Sequence, residues 1–204
     1  MQEFLIQSAG GIRLVIEIYS WMHIAAFLLS WVHADPNNKI VSIINRSTMP
    51  LWRWVQKKLP YKYSAFAPIV ALMLIFWAII AIPGIYFSFG ATSIGFYTLN
   101  SAVLKSGLYI IAGVVSVSSQ ISGFIMIIAI IWFILTLVNP AYNNPIARTI
   151  YILIDPLITP LQRVLPRAKI DLAPIIVAIL AYLVKYNLTI LYVYLIKQNQ
   201  LVLF

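Results

Sequence analysis

The sequence predicts an all-α membrane protein with four transmembrane helices, arranged as two parallel two-span repeats. The composition is 62% hydrophobic and 9% charged, which excludes an ordinary soluble domain. Residues 63–104 and 106–147 contain no Asp, Glu, Lys or Arg, and each run exceeds the roughly 20 residues that cross a bilayer as a helix. A third observation, an internal repeat, gives the number of units.

The repeat relates residues 32–69 to residues 138–175 without insertion or deletion. The matched residues lie 106 positions apart and include Asn38/Asn144, Pro50/Pro156, Pro60/Pro166 and Pro68/Pro174. Because proline constrains the backbone wherever it occurs, several prolines at fixed spacing are hard to obtain by chance. The pattern therefore indicates a tandem duplication.

Repeat and hydropathy together divide the chain into a first repeat (1–90), an outer connector (91–116) and a second repeat (117–204). The spans are predicted at about 12–33, 66–86, 117–138 and 172–196. A fifth span at 108–116 would invert the second repeat, so we expect a membrane-surface or extended piece there. The pairs Ser118/Ser122 and Ser119/Gly123 have a spacing that permits close helix packing in lipid, with a hydrated helix end as the alternative.

Basic residues indicate the orientation. Ten of the fourteen lie between the two spans of a repeat: Lys39, Arg46, Arg53, Lys57, Lys58, Lys62, Arg148, Arg163, Arg167 and Lys169. The positive-inside rule places both loops in the cytoplasm and both termini on the outer side. Such loops attract anionic lipid headgroups, and an acidic protein partner is the alternative. A nucleic-acid partner is not expected.

Each basic loop contains an amphipathic pattern, at about 38–59 and 144–165, typical of a helix lying in the membrane interface. Pro50 and Pro156 predict a bend that breaks each of these helices into two pieces. Asn37-Asn38 and Asn143-Asn144 can cap the starts of these helices, and Pro60 and Pro166 can end them. Pro68 and Pro174 suit the first turns of the spans that follow, and Trp52 and Trp54 suit the headgroup level.

The segments DPNNKIVSIINRSTMPLWRWVQKKLP and NNPIARTIYILIDPLITPLQRVLPRAKIDLAP resemble the YggT family of bacterial and plastid membrane proteins. The resemblance covers nearly the whole chain in two copies. The motif residues that it carries over are Asp35, Pro36, Asn38, Pro50, Pro60, Pro68, Asn144, Pro145, Asp155, Pro156, Arg163, Pro166, Asp171 and Pro174. Lys39 departs from the family's Asn-Pro-Ile, and Ala65 stands where the second copy has Asp171.

The resemblance implies a non-enzymatic protein of the bacterial inner membrane. Its expected role is that of an accessory or scaffold factor for membrane complexes or for envelope and cell-division organisation, working with a membrane-protein partner or as a homo-oligomer. The alternative is a component of potassium uptake and osmotic-stress tolerance. No cofactor is implied.

Candidate sites follow from ionisable groups inside the predicted spans, which are costly there and often functional. Glu17 and Lys185 are the two such groups, and we hypothesise an ion pair that joins the first and fourth spans; the alternative is that each reaches the interface alone. His23 and His33 are ten positions apart on one helix, so they cannot bind one metal from the same side. The chain has no cysteine and no catalytic motif, so neither a metal site nor a catalytic residue is predicted. Asp171, directly before the last span, has the pattern of a helix cap.

Overall fold

The computed structural model describes residues 1–31, 38–138, 145–164 and 171–202. Within these ranges every regular element is helical, in agreement with the predicted class. The helices are α1 (Gln2–Trp31), α2 (Lys39–Lys58), a 3₁₀ helix (Tyr61–Phe66), α3 (Ala67–Ser93), α4 (Leu99–Val138), α5 (Pro145–Val164) and α6 (Ala173–Gln198). Three of them, α3, α4 and α6, are long and apolar enough to cross a membrane, judged on the described residues.

The duplication is visible in the helix boundaries. Residue 39 begins α2 and residue 145 begins α5, while residues 58 and 164 end them. Residues 67 and 173 begin α3 and α6. All three pairs are 106 positions apart, the offset of the sequence repeat, and Pro68 and Pro174 directly follow the matched first residues of α3 and α6.

The first compact unit contains residues 1–114 and 195–204. Its core joins α1, α2 and α3 through Ala26, Trp52, Val55, Ala67 and Ala71. Trp52, for which the sequence predicts a place at headgroup level, is 8% exposed and lies within this core. The large ring fills the space that the small alanines leave, which brings α2 close to both neighbouring helices.

The second compact unit contains residues 115–194 and joins the rest of α4 to α5 and α6. Its core includes Trp132, Ile154, Ile158, Ala173 and Val177. Four of these five are the counterparts, 106 positions later, of residues in the first core. The core tryptophan lies on a different helix in each repeat. Trp132 of α4 is the counterpart of Ala26, and Ile158 of α5 is the counterpart of Trp52.

One helix differs from the sequence-based expectation. α4 is a single helix of 40 residues, about 60 Å long at 1.5 Å per residue, and it includes residues 108–116. Its first part, up to Val114, belongs to the first unit. There Trp77 of α3 donates from Nε1 to the carbonyl of Ile110 at 3.3 Å, and the Tyr109 hydroxyl donates to the Val202 carbonyl at 2.9 Å.

Gly84 and Gly107 provide a test of this packing. A Cβ at Gly84 would overlap the buried ring of Tyr109, whereas a Cβ at Gly107 would meet nothing within 4 Å. We expect Gly84→Ala to destabilise the protein by about 1–3 kcal/mol through overpacking. Gly107→Ala should be neutral or stabilising by up to about 1 kcal/mol, because alanine favours the helix. Thermal unfolding in detergent, followed by tryptophan fluorescence, measures both; equal melting temperatures for the two variants would contradict this packing of α3 on α4.

Candidate functional site

The helix α2 carries five of the ten basic residues whose side chains the structure describes. It begins after Asn38, whose Oδ1 accepts a hydrogen bond from the backbone N–H of Ile40 at 2.9 Å, which confirms the predicted cap. Pro50 lies inside the helix, and the helix continues to Lys58 without interruption. The bend at this proline stays a prediction.

Residues of α2 fall on three faces, as a step of about 100° per residue requires. The face buried against α1 and α3 consists of Val41, Thr48, Trp52 and Val55. The opposite face is basic and consists of the exposed residues Lys39, Arg46, Arg53 and Lys57. A strip between these faces consists of Ile40, Ile43 and Trp54, which are 54–68% exposed. The helix therefore presents an uncovered apolar strip directly beside its positive charges.

The outward side of α2 also contains an open concavity of about 590 Å³. The described residues that line it are Ser42, Asn45, Arg46, Met49, Pro50 and Arg53. Two guanidinium groups, an amide and a hydroxyl thus surround an apolar floor, and no carboxylate is among them. This combination of donors is suited to an oxyanion such as phosphate.

The matching face of α5 has different chemistry. Asp155 occupies the position of Met49, and Thr159 occupies the position of Arg53. The Thr159 hydroxyl donates to Oδ1 of Asp155 at 2.7 Å. This hydrogen bond, followed by one from Tyr151, lowers the pKa of the Asp155 carboxyl below its ordinary value. Both donors lie four positions from Asp155, a spacing that could have been recognised in the sequence.

Asp171 has a structural role. Its Oδ1 accepts from the backbone N–H of Ala173 at 3.0 Å, so it caps α6 as predicted. Its Oδ2 accepts from the side-chain amide of Gln162 at 2.5 Å, which ties the end of α5 to the start of α6.

Glu17 lies on α1 and pairs with a residue of the same helix, a contact that is not among the sequence-based predictions. Oε1 of Glu17 is 2.7 Å from Nε of Arg13, one turn earlier. The spacing of four residues was the available signal. Glu17 and Lys185 belong to different compact units, so the ion pair between them stays a prediction.

Lys185 lies over Gly123. A Cβ at position 123 would be 3.3 Å from both Cδ and Nζ of Lys185. Close by, the Ser119 hydroxyl lies 3.1 Å from the Thr189 hydroxyl, and the Thr189 hydroxyl donates to the Lys185 carbonyl at 2.8 Å. Of the two alternatives for the small residues of α4, the structure shows close helix packing for Ser119 and Gly123. The Lys185 ammonium has no carboxylate partner among the described residues of its unit.

His23 lies in the core of the first unit and is fully buried. Nδ1 is 3.0 Å from the carbonyl of Tyr19, so Nδ1–H is the donor and Nε2 is left as an acceptor. Nε2 and the indole N–H of Trp52 are buried, and neither has a hydrogen-bond partner in the described part of the chain. At the equivalent positions the second repeat has Ala129 and Ile158, so this polar pair is particular to the first repeat.

For the remaining predicted site residues, the structure gives a position relative to a helix, or the residue lies outside the part of the chain that is described. Pro60 directly follows the last turn of α2, and Pro68 and Pro174 lie in the first turns of α3 and α6, as the sequence predicted. Arg163 and Lys58 are exposed, and Pro156 lies inside α5. The side chains of Lys62, Pro145 and Arg148 are not described. Asp35, Pro36, Asn144, Pro166, Arg167 and Lys169, together with His33, lie outside the described residues.

Long apolar helices and two copies of one packing unit define a helical membrane protein made of tandem repeats. The chain belongs to the CCB3/YggT family: the family model matches residues 6–85 and 109–192, one match for each repeat. This confirms the resemblance seen in the sequence motifs. No curated protein and no solved structure matches the chain.

The hydrogen bonds at Asp155 predict a pH dependence. A carboxyl whose pKa is lowered by folding stabilises the folded state above its unfolded pKa, and this stabilisation is lost as the pH falls through its folded pKa. Thr159→Val removes the principal donor, so we expect the pKa of Asp155 to rise. Carbon NMR of protein labelled at the aspartate carboxyl carbons measures it. Gln162→Leu, which leaves Thr159 in place, is the control; an Asp155 titration unaffected by Thr159→Val would contradict the assignment.

Proposed function

We propose that α1 is a fourth transmembrane helix. α1 packs antiparallel along α3, since Leu5 meets Gly90 near one end and Ala26 shares a core with Ala71 near the other. A helix that lies alongside a spanning helix over such a length spans the membrane with it. The pairing of Arg13 with Glu17 at 2.7 Å supports this, because paired charges are less costly in hydrocarbon than isolated ones.

We further propose that both repeats have the same orientation in the bacterial inner membrane, with α2 and α5 in the cytoplasm and both termini in the periplasm. The support is the excess of basic residues in these two segments and the constant offset of the helices. In this orientation α2 and α5 are amphipathic helices of the interface. The exposed apolar strip of α2 enters the acyl region, and its basic face contacts anionic headgroups.

The role that these features support best is that of a non-catalytic scaffold for a membrane complex. The observation that carries the proposal is Lys185, which is only half-buried, in the middle of an apolar helix. The half-exposed Ser119 of α4 lies near it, with its hydroxyl 3.5 Å from the Lys185 carbonyl, and the exposed Gln120 directly follows Ser119 in sequence. Polar groups at this depth ordinarily face a protein interior or a partner. We propose that a partner's membrane helix with a carboxylate at the same depth docks here.

Potassium uptake is supported less well. A cation pathway requires converging polar groups along the bundle. Ser20, Ser88 and Ser122 are buried, but each hydroxyl donates to a carbonyl of its own helix. In addition, the positive charge of Lys185 would repel a cation at this face.

Substitution of Lys185 tests the scaffold role. We expect Lys185→Met to lose the subunits that remain attached to the protein after purification into native nanodiscs, because the docking carboxylate would then be left unpaired in the membrane. The measurement is quantitative mass spectrometry of the purified nanodiscs, with native mass spectrometry to detect a second copy of the chain.

The matched control is Lys197→Met, which removes the same charge from an exposed position in the last turn of α6. It should retain the attached subunits. Unchanged subunit composition in Lys185→Met, or equal loss in both variants, would contradict the proposed docking face. Potassium flux into liposomes that contain the purified protein alone would favour transport.

A further inference from the structure

The open concavity on α2 has the chemistry of a specific anion site. Arg46 and Arg53 are seven positions apart on one face, about 10 Å along the helix axis. Their long side chains can converge on one oxyanion from opposite ends, each offering a planar pair of donors. Asn45, which directly precedes Arg46, also lines the concavity and adds amide donors.

The floor of the concavity favours a lipid over a free ion. Met49 and Pro50 lie between the two arginines and provide apolar contact next to the donors. The strip formed by Ile40, Ile43 and Trp54 is exposed on the adjoining side of the helix. With this strip in the acyl region and Trp54 at headgroup level, the two guanidinium groups lie at the depth of the lipid phosphates.

This arrangement is not part of the repeated framework. At the positions of Arg46, Met49 and Arg53, α5 has Ile152, Asp155 and Thr159. The second repeat keeps the packing face of the helix but has neither arginine, and it has the carboxylate of Asp155 at the position of Met49. The paired arginines are therefore not needed to build the repeat.

We propose that the concavity between Arg46 and Arg53 binds the phosphodiester of a single anionic phospholipid. The proposal rests on the interfacial placement of α2 that the proposed function includes. Bidentate contacts from the two guanidinium groups hold the phosphate, and the apolar floor takes the adjoining glycerol backbone. The bound lipid then fixes the depth and rotation of α2 in the first repeat only.

The test counts lipids bound to the purified full-length protein. Native mass spectrometry in detergent, during titration with phosphatidylglycerol, gives the affinity of the tightest-bound molecule. We expect Arg46→Lys/Arg53→Lys to weaken this affinity roughly tenfold, because the charge is retained but the bidentate donors are lost. Since both side chains are exposed, the melting temperature should not change.

The matched control is Lys57→Gln/Lys58→Gln, which removes two charges from the same helix outside the concavity. It should weaken the tightest binding less than Arg46→Gln/Arg53→Gln does. Equal effects of the two glutamine variants, together with wild-type affinity in the lysine variant, would show diffuse attraction and overturn the site. Equal retention of phosphatidylcholine, or displacement of the lipid by inorganic phosphate at equal concentration, would overturn the anionic-lipid assignment.

Failure here is separable from failure of the scaffold proposal. The arginine variants leave Lys185 untouched, so the attached subunits should remain. Loss of the lipid site with retained subunits would leave the scaffold role standing, whereas the Lys185→Met result bears on that role alone.

Discussion

Each repeat depends on one contact, in which its middle helix, α2 or α5, packs against small residues at the start of the helix that follows, α3 or α6. In the first repeat Trp52 and Val55 share a core with Ala67 and Ala71; in the second, Ile158 shares a core with Ala173 and Val177. Small residues allow backbones to approach closely, so the large side chains of α2 and α5 can pack tightly against them. The following proline fixes where the spanning helix begins, so the contact sets the geometry of the whole unit.

The two repeats share this framework and differ in the polar groups built on it. The first has buried His23 and Thr48 where the second has Ala129 and Ile154. At two other pairs of equivalent positions, the first repeat has Glu17 and Ile79 where the second has Gly123 and Lys185. The lysine can lie over α4 because glycine leaves the space. Residues that break the repeat are therefore the ones available for function, and the proposed lipid site on α2 and the proposed docking face at Lys185 both belong to this group.

Much of the framework could be predicted from the sequence, because prolines and capping side chains act locally on the backbone. Asn38, Pro60, Pro68 and Asp171 mark helix ends where the pattern placed them. The continuity of α4 could not be predicted, since the serines at 116–122 reduce hydropathy in the same way at a helix end and in a packed helix. The burial of Trp52 was missed for a related reason: an interfacial tryptophan and one that fills the space beside alanine have the same spacing. The face of α2 with its concavity was predicted only as diffuse charge, because concavity depends on side-chain shape.

The central claim is that the two repeats cross the membrane in the same direction, with α2 and α5 on one side. Because the chain has no cysteine, single cysteines can be introduced at Lys57, Arg163 and Thr98 and treated in intact cells with a membrane-impermeant maleimide. The account predicts labelling at position 98 alone, with positions 57 and 163 reacting only after the membrane is opened. Labelling of one of positions 57 and 163 from outside, with the other protected, would contradict it.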